Sequence, residues 1–260
     1  MRVCQTRPVP RSYERTNADH RPVSIEPGFV RTATGSCLYS QGETRVICTA
    51  SVSTSVPRWL EGKGRGWVTA EYAMLPASTG DRKERDSKRG RPDGRSTEIQ
   101  RLIGRALRGV VDLTALPDRS VYVDCDVLQA DGGTRCASIT GGYVALRLAF
   151  SKLLAAGDLE RDPLNGSIAA ISCGVVDGEV LCDLDYSEDS SAEVDANIVM
   201  TGDGGLVEVQ ATAERTPVSR ASFDELLGLA EPAIAKLREA QAAACEGSAE
   251  PDSAPGPAPG

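Results

Sequence analysis

The chain has 260 residues, of which 40% are hydrophobic and 25% are charged, a balance typical of a globular protein that excludes disorder along the whole length. It holds 37 acidic residues against 29 lysines and arginines, which gives a net charge of −8. The one histidine, His20, lies in a polar N-terminal stretch, which argues against a histidine-rich zinc site and a Ser-His-Asp triad.

The sequence predicts a cytoplasmic protein without a membrane segment. No apolar run approaches the roughly 18 residues that a membrane-spanning helix needs. The first residues lack the apolar core of a secretory signal, and the eight cysteines occur without a Cys-x-x-Cys pair. We therefore expect these cysteines to be reduced and mostly buried.

Charge is distributed unevenly along the chain. Residues 1–108 carry 20 basic side chains against 11 acidic ones, whereas residues 158–260 carry 5 against 21. A basic half joined to an acidic half suggests an anionic ligand on the basic side, while the acidic half serves a metal, a basic partner or solubility. Ordinary solvated surface accounts for the same imbalance equally well.

The predicted elements are short strands interleaved with a few helices. Residues 36–41 and 44–52 predict a hairpin, 67–75 a strand, and 78–94 an exposed charged loop. Apolar spacing then predicts a helix over about 96–111, a strand over 121–127 and a long apolar helix ending near 156. Two more hairpins, over 168–185 and 198–212, precede a final helix opened by a capping box at Ser222 and Glu225. This order predicts an α+β fold of mixed α/β layers.

Composition divides the chain into three parts. Residues 1–20 are polar and arginine-rich without periodicity, which predicts a flexible basic arm. Residues 246–260 are rich in Pro, Ala and Gly, which predicts a disordered tail. We expect residues 21–245 to form one folded domain, and faintly similar segments that begin at Gly35 and Gly166 suggest a duplicated sub-domain within it.

The first candidate for chemistry is the turn Gln129-Ala130-Asp131-Gly132-Gly133-Thr134-Arg135, between a predicted strand and a predicted helix. Its glycines let backbone amides face a ligand, and the helix N-terminus adds unpaired N–H groups and the positive end of a dipole. Thr134 supplies a hydroxyl, and the guanidinium fork of Arg135 matches a phosphate. The turn predicts a phosphate site, although an ordinary strand-to-helix turn uses glycines too.

The second candidate is a basic region that suits the phosphate backbone of a nucleic acid bound without sequence preference. Arg95 precedes a predicted helix, so we expect it to be held in place. The nearby aromatic residues Trp59, Trp67 and Tyr72 make no obvious stacking platform, and a solvated charged loop is the alternative. The basic residues are Arg58, Lys63, Arg65, Arg82, Lys83, Arg85, Lys88, Arg89, Arg91 and Arg95.

The third candidate is an acidic run that starts at Asp183 and ends at Asp195, with six carboxylates within thirteen residues. Like charges at this density cost free energy unless a cation or arginines offset them. Mg²⁺ uses hard oxygen ligands, usually one or two carboxylates together with waters and a substrate phosphate. The run therefore predicts a metal site, with an acidic loop that caps helices as the alternative.

A phosphate turn, a basic loop and a metal-type acidic cluster are together the parts of an enzyme that transfers phosphoryl groups on nucleic acid. Neither a P-loop nor a dinucleotide glycine fingerprint competes with this interpretation. The residues alone leave open whether water or another nucleophile attacks.

Four motifs closely resemble the bacterial ribonuclease PH family. They lie at residues 66–72, 94–105, 124–141 and 182–189, and Asp195 completes the last one. The resemblance extends over about residues 21–243, and the motif from 129 to 141 is specific to this family and its exosome relatives. One departure is Ala77, where the family usually has an arginine, so we expect one contact to tRNA to be lost.

The resemblance implies a phosphorolytic 3′-to-5′ exoribonuclease that trims the 3′ ends of tRNA precursors. Inorganic phosphate attacks the terminal phosphodiester as co-substrate and releases a nucleoside diphosphate, and the reaction is reversible, so the enzyme is also a nucleotidyltransferase. The resemblance further implies a fold like ribosomal protein S5 domain 2, with two βαβ-type halves, and a homohexameric ring built as a trimer of dimers.

The resemblance also assigns roles to residues of this chain. It implies phosphate binding by Arg95, Gly133, Thr134 and Arg135, and catalysis by Asp189 and Asp195, which hold Mg²⁺ or Mn²⁺ with Asp183 as a helper. It implies RNA contacts from Arg58, Arg82 and Arg85.

Two other functions are compatible with the sequence. One is a catalytically silent RNA-binding ring subunit, as some exosome members are, but such subunits typically lose the phosphate arginine or the acids, and here Arg95, Arg135, Asp189 and Asp195 are all present. A hydrolytic metal nuclease is the other candidate, and it would not require the Gly-Thr-Arg turn.

Overall fold

A computed structural model describes residues 11–85, 88, 90, 93–214 and 217–247 of the chain. Residues 1–10 of the predicted arm, residues 248–260 of the predicted tail, and Arg89 and Arg91 lie outside the described residues. Within the described part, no helix is long and apolar enough to cross a membrane.

The first half contains a five-stranded sheet. Its strands are β1 (Val23–Pro27), β2 (Gly35–Gln41), β3 (Thr44–Ser53), β4 (Trp67–Met74) and β5 (Ser120–Gln129), and they lie in the order β1-β2-β3-β5-β4. All neighbours run antiparallel except β4 and β5, which are parallel. Parallel strands need a crossover, and helix α1 (Gly94–Arg108) provides it between β4 and β5.

The alternating pattern of β5 gives this sheet one covered face. Val121, Val123 and Cys125 are at most 1% exposed, whereas Tyr122 points to the other face and is 41% exposed. The apolar face packs under α1 and under α2 (Thr134–Ala155). Three short 3₁₀ helices, Ser12–Glu14, Arg58–Leu60 and Leu113–Ala115, occur among the described residues of this half.

The second half contains a four-stranded antiparallel sheet in the order β7-β6-β8-β9. Its strands are β6 (Ile168–Val176), β7 (Glu179–Cys182), β8 (Val194–Thr201) and β9 (Leu206–Ala213). The short helix α3 (Tyr186–Ser191) connects β7 to β8, and the long helix α4 (Arg220–Glu246) follows β9.

Strand β6 belongs to two apolar cores, which explains its uninterrupted run of buried residues. Ile168 and Ala170 face the first core, around α2, whereas Ala169 and Ile171 face the second core, against α4. Helix α2 is therefore covered by the first sheet on one side and by β6 on the other. This double coverage is why α2 is apolar around most of its circumference instead of amphipathic.

The structure confirms the prediction of mixed α/β layers and most of the element order. The three hairpins, the strand over 121–127 and the long apolar helix all form. The prediction of the final helix start was wrong, because α4 begins at Arg220 and its N-cap is Ser219, whose side chain accepts a hydrogen bond from the Ser222 amide. A capping box does form elsewhere, between Asp185 and Glu188 at the start of α3.

The described part of the predicted basic arm packs against the second half. Arg11 donates a hydrogen bond of 2.7 Å to Glu188, and Arg15 donates one of 2.6 Å to the carbonyl of Asp183. The sequence predicted a flexible segment because residues 11–20 lack an apolar period. The structure differs here because charge, not apolar area, holds these residues.

Gly35 provides a test of the contact between β2 and α2. A Cβ at this position would overlap the carbonyl oxygen of Ala145 and the amide of Ala149, both in the backbone of α2. We expect Gly35→Ala to lower the free energy of unfolding by about 1–3 kcal/mol, because the helix must move away from the sheet. Urea denaturation measures this change.

The matched control is Gly228→Ala in α4, where a Cβ would meet nothing within 4 Å. It should raise the free energy of unfolding by about 0.5–1 kcal/mol, since alanine is the better helix former. Equal stability of Gly35→Ala and wild type would contradict the described packing of β2 on α2.

Candidate active site

A cleft of about 530 Å³ opens where β4 and β5 end, between the two halves of the fold. Its walls come from the loop after β4, the β5–α2 turn, the N-terminal ends of α1 and α3, and strand β8. Among the described residues, the cleft is lined by Met74, Thr79, Gly80, Asp81, Arg82, Lys83, Arg95, Ala130, Gly132, Gly133, Thr134, Arg135, Ser172, Tyr186, Asp189, Asp195 and Asn197.

The β5–α2 turn has the geometry predicted for an anion site. Gly132 and Gly133 have φ angles of +76° and +65°, and α2 begins directly afterwards at Thr134. A Cβ on Gly132 would overlap the carbonyl of Leu184, so the close approach of the second half also requires glycine there. The N-terminus of α2, with its free N–H groups and positive dipole end, therefore faces the cleft.

Two side chains of this turn are held by hydrogen bonds. The Thr134 hydroxyl lies 2.9 Å from the hydroxyl of Tyr72, a buried residue of β4. Arg135 donates a hydrogen bond of 3.2 Å to Gln210 on β9, and the Gln210 amide donates in turn to Glu98 on α1, also at 3.2 Å. The guanidinium of Arg135 is thus positioned by both halves of the fold.

Arg95 is the second residue of α1, and its exposed side chain lines the same cleft. With Arg82 and Arg135, the described part of the cleft therefore contains three guanidinium groups beside the N-terminus of α2. Such a set of fixed positive groups and N–H donors favours an anion with several oxygens, above all a phosphate.

Five of the six carboxylates of the acidic run separate into two groups in the structure, and the sixth, Glu193, accepts a hydrogen bond from the Gly178 amide. Asp183 is buried, and its carboxylate accepts three hydrogen bonds from Arg21: from the backbone amide at 2.6 Å, from Nε at 2.9 Å and from Nη2 at 2.7 Å. Burial alone would raise the pKa of Asp183, but the hydrogen bonds and charge of Arg21 outweigh burial and lower it.

Arg21 also holds the phosphate turn from behind. Its Nη1 donates to the carbonyl of Asp131 and lies 3.4 Å from the Asp131 carboxylate. Its Nη2 lies 3.4 Å from the position that a Cβ on Gly133 would occupy. A single buried guanidinium therefore connects the phosphate turn to the acidic run.

Arginines near the N-terminus offset the negative charge of the other two carboxylates in this group, those of Asp185 and Glu188. Arg15 lies 3.4 Å from the carboxylate of Asp185 and 3.3 Å from that of Glu188, and Arg11 pairs with Glu188 from another side. Repulsion between these carboxylates would destabilise the fold, and the positive charges of the arginines offset it. Asp183, Asp185 and Glu188 therefore form ion pairs that stabilise the fold.

Asp189 and Asp195 form the second group and face the cleft. Desolvation raises the pKa of Asp195, and the nearby charge of Asp189 raises it further. Desolvation also raises the pKa of Asp189, against the opposing charges of Arg95 and Arg135. Ionising both carboxylates in the cleft therefore costs free energy, which a bound cation would offset.

The donor set in the cleft fits a hard divalent cation. Two carboxylates share one wall, and Mg²⁺ typically takes one or two of them, with waters and phosphate oxygens completing its shell. No group of three or more His, Cys, Asp or Glu side chains suited to a metal occurs in the part of the chain that the structure describes. A metal here would therefore depend on its substrate for further ligands.

The structure does not bring every predicted site residue into the cleft. Asp183, predicted as a helper in the metal site, is hydrogen-bonded to Arg21 behind the phosphate turn and does not line the cleft. Arg82 lines the cleft, and Arg85 is exposed farther along the same loop.

Arg58 lies at the opposite end of the first sheet. Its neighbour Trp59 contacts Trp67 edge to face, with ring centroids 4.8 Å apart. Trp67 starts β4, whereas the cleft is at the other end of that strand, beside Met74, about 20 Å away at the usual rise per residue. Within one chain, Arg58 is therefore remote from the cleft.

Sequence reasoning missed four residues that shape the cleft: Arg21, Gln210, Asn197 and Tyr186. Asn197 carried a signal, since it lies two residues after Asp195 on a strand and so shares its face. Its Oδ1 accepts a hydrogen bond of 3.2 Å from the Cys136 thiol. Tyr186 carried one as well, since it lies within the motif at 182–189. Arg21 and Gln210 reach the site through contacts between residues far apart in sequence.

Two segments of the chain match the models of one protein family. Residues 19–151 match the 3′ exoribonuclease family, domain 1, and residues 166–232 match the 3′ exoribonuclease family, domain 2. Among curated proteins, the chain is 53% identical over 237 residues to Ribonuclease PH of Maricaulis maris, covering 91% of this chain and 100% of that protein. It is 56% identical over 224 residues to Ribonuclease PH of Roseobacter denitrificans, covering 86% and 94%.

Solved structures show the same fold at lower sequence identity. Rice (Oryza sativa) Rrp46 matches with a TM-score of 0.72 at 21% identity, covering 89% of this chain and 98% of that one. A structure described as the Archaeoglobus fulgidus exosome with RNA bound to the active site matches with a TM-score of 0.75 at 24% identity, covering 88% and 91%. These similarities support the mixed α/β fold.

The raised pKa of Asp195 leads to a prediction about stability. A carboxyl whose pKa is higher in the folded than in the unfolded state destabilises the fold at a pH above both values. We expect Asp195→Asn to raise the melting temperature at pH 7 by a few degrees. The gain should shrink as the pH falls through the raised pKa of the folded state and vanish below about 3, where the carboxyl is protonated in both states.

The control is Asp224→Asn, which removes an exposed carboxylate paired with Arg220 on α4 and should change the melting temperature little. A lower melting temperature for Asp195→Asn at pH 7 would contradict the electrostatic description of the cleft.

Proposed function

This chain belongs to the 3′ exoribonuclease family, and from that membership we propose how its cleft acts on RNA. The activity is phosphorolytic 3′-to-5′ degradation of RNA, with tRNA precursors as substrates and nucleoside diphosphates as products. The observation that carries the proposed mechanism is that the glycine turn before α2, Arg95, Arg135 and two carboxylates line one cleft.

Inorganic phosphate binds at the N-terminus of α2. Backbone amides of Gly133 and Thr134 and the guanidinium groups of Arg135 and Arg95 surround it. Support comes from the left-handed glycines of the turn and from the hydrogen bond that fixes Arg135 to Gln210. These donors are in place before the ligand arrives, so little reorganisation accompanies binding.

The bound phosphate attacks the phosphorus of the last phosphodiester of the RNA. A bond forms between a phosphate oxygen and that phosphorus, and the bond from phosphorus to the 3′ oxygen of the preceding nucleotide breaks. The products are a nucleoside 5′-diphosphate and an RNA shortened by one nucleotide. The attacking hydrogen phosphate loses a proton and the departing 3′ oxygen gains one, so the reaction balances and runs in reverse as nucleotide addition.

Asp189 and Asp195 line the cleft beside the reacting phosphorus. They would hold Mg²⁺ or Mn²⁺, which supplies Lewis-acid stabilisation of charge on the scissile phosphate. Arg95 and Arg135, which line the same cleft, neutralise charge as it moves between the two phosphates. Asp183 acts indirectly: its carboxylate accepts hydrogen bonds from Arg21 and so positions Arg21 beneath the phosphate turn.

RNA reaches the cleft over basic side chains. Arg82 contacts it at the cleft wall, and Arg85 continues the positive surface along the loop. Arg58 contacts RNA outside the cleft of its own subunit, which fits assembly as a homohexamer, a trimer of dimers, in which another subunit adjoins that end of the sheet. Ala77 is exposed on the cleft-side loop, and its missing guanidinium weakens the grip on tRNA.

A silent RNA-binding ring subunit is the less favoured alternative. Such a subunit has no need of a phosphate arginine or paired acids, whereas this cleft holds Arg95, Arg135, Asp189 and Asp195 together.

The catalytic unit spans residues 21–245, preceded by the basic arm and followed by the Pro/Ala/Gly tail, and the protein acts in the cytoplasm.

Product identity tests the proposed function. The purified protein is incubated with Mg²⁺ and a tRNA that carries a few extra 3′ nucleotides, with and without inorganic phosphate. We expect nucleoside diphosphates only when phosphate is present. Arg135→Ala and Asp189→Ala should each lower kcat/KM by about 100-fold or more, the loss typical of removing a group that stabilises transition-state charge.

Arg220→Ala is the control, since it removes an exposed arginine of α4 remote from the cleft and should leave the rate unchanged. Nucleoside monophosphates released without phosphate would mean hydrolysis and contradict the proposal. Full activity of Arg135→Ala would contradict the assignment of the phosphate site.

A further inference from the structure

Tyr186 is the most exposed large aromatic residue on the wall of the cleft. Its side chain is 65% exposed, although it lines the same cleft as Asp189 and Arg82. A single exposed aromatic residue on a protein surface needs no explanation. An exposed aromatic ring inside a cleft that binds RNA is different, because nucleobases stack on such rings.

The backbone beneath the Tyr186 ring is fixed by the same network that holds the phosphate turn. The amide of Tyr186 donates a hydrogen bond of 3.2 Å to the Asp131 carboxylate, which also lies 3.4 Å from Arg21. Asp185, directly before it, is the N-cap of α3 and accepts from the Glu188 amide. The tyrosine is therefore anchored at its backbone while its ring remains accessible.

The ring and the reacting centre lie on the same side of α3. Tyr186 and Asp189 are three residues apart on this helix, which makes their side chains neighbours on one face. A nucleotide whose phosphate lies between Asp189 and Arg135 consequently extends its base along the cleft wall that Tyr186 forms. Arg82 and Lys83 line the cleft as well, and they supply positive charge for the adjoining backbone.

We infer that Tyr186 stacks on the base of the 3′-terminal nucleotide and so holds the last phosphodiester in line with the bound phosphate. This inference rests on the proposed function. Stacking on a tyrosine is tolerant of base identity, because every base has a π face. The tyrosine therefore selects an unpaired 3′ end over a paired one, without selecting a sequence.

The test is steady-state phosphorolysis of a short single-stranded oligoribonucleotide by wild type, Tyr186→Ala and Tyr186→Phe. Loss of one stacked base typically costs enough for about a tenfold effect on binding. We expect Tyr186→Ala to raise the KM for RNA about tenfold with the KM for phosphate unchanged, and Tyr186→Phe to stay near wild type. Tyr122→Ala, at an exposed tyrosine on the outer face of β5, is the matched control.

A substrate lacking its terminal base separates stacking from a merely structural role. On an oligoribonucleotide with an abasic 3′-terminal nucleotide, wild type should lose the same factor of about ten, and Tyr186→Ala should show no further loss. Equal KM values for wild type and Tyr186→Ala on the intact RNA, or additive losses on the abasic RNA, would overturn the inference. Absence of phosphorolysis by wild type would instead count against the proposed function itself.

Discussion

The buried ion pair between Arg21 and Asp183 is the interaction on which the cleft depends. Arg21 precedes the first strand, and Asp183 follows β7 of the second half, so the pair connects the two halves behind the phosphate turn. Both side chains are about 1% exposed, and desolvation of such charges is offset only by close geometry and further hydrogen bonds. Arg21 supplies this compensation through three hydrogen bonds to Asp183 and further ones to Asp131.

This pair explains how one short acidic run serves two purposes. Arg11, Arg15 and Arg21 compensate Asp183, Asp185 and Glu188, and this fixes the start of α3. Asp189 and Asp195 are then held near two arginines without a direct ion pair to either of them among the described residues, and their pKa values are raised mainly by desolvation. The same run therefore contains carboxylates paired with arginines behind the β5–α2 turn and carboxylates that line the cleft, to which we assign the proposed catalytic role.

The sequence was sufficient to predict the layered fold, most strands and helices, and the glycine turn between β5 and α2, because each of these depends on local patterns. Alternation identified β5, and the Gly-Gly-Thr-Arg order identified the N-terminus of α2. It could not show that Asp183 turns away from the cleft, that Arg58 lies at the far end of β4, or that residues 11–20 pack on the second half. Each of these results depends on contacts between residues more than a hundred positions apart or on the direction of a strand, which composition and period do not encode.

Phosphate binding by Asp183→Asn tests the central claim most directly, because Asp183 does not line the cleft. Isothermal titration calorimetry with inorganic phosphate is done at a temperature at which circular dichroism shows the variant to be folded. If the Arg21–Asp183 pair sets the geometry of the phosphate turn, the variant should bind phosphate about tenfold more weakly than wild type, the loss typical of removing a supporting hydrogen-bond partner. A folded Asp183→Asn variant with wild-type affinity for phosphate would contradict the account.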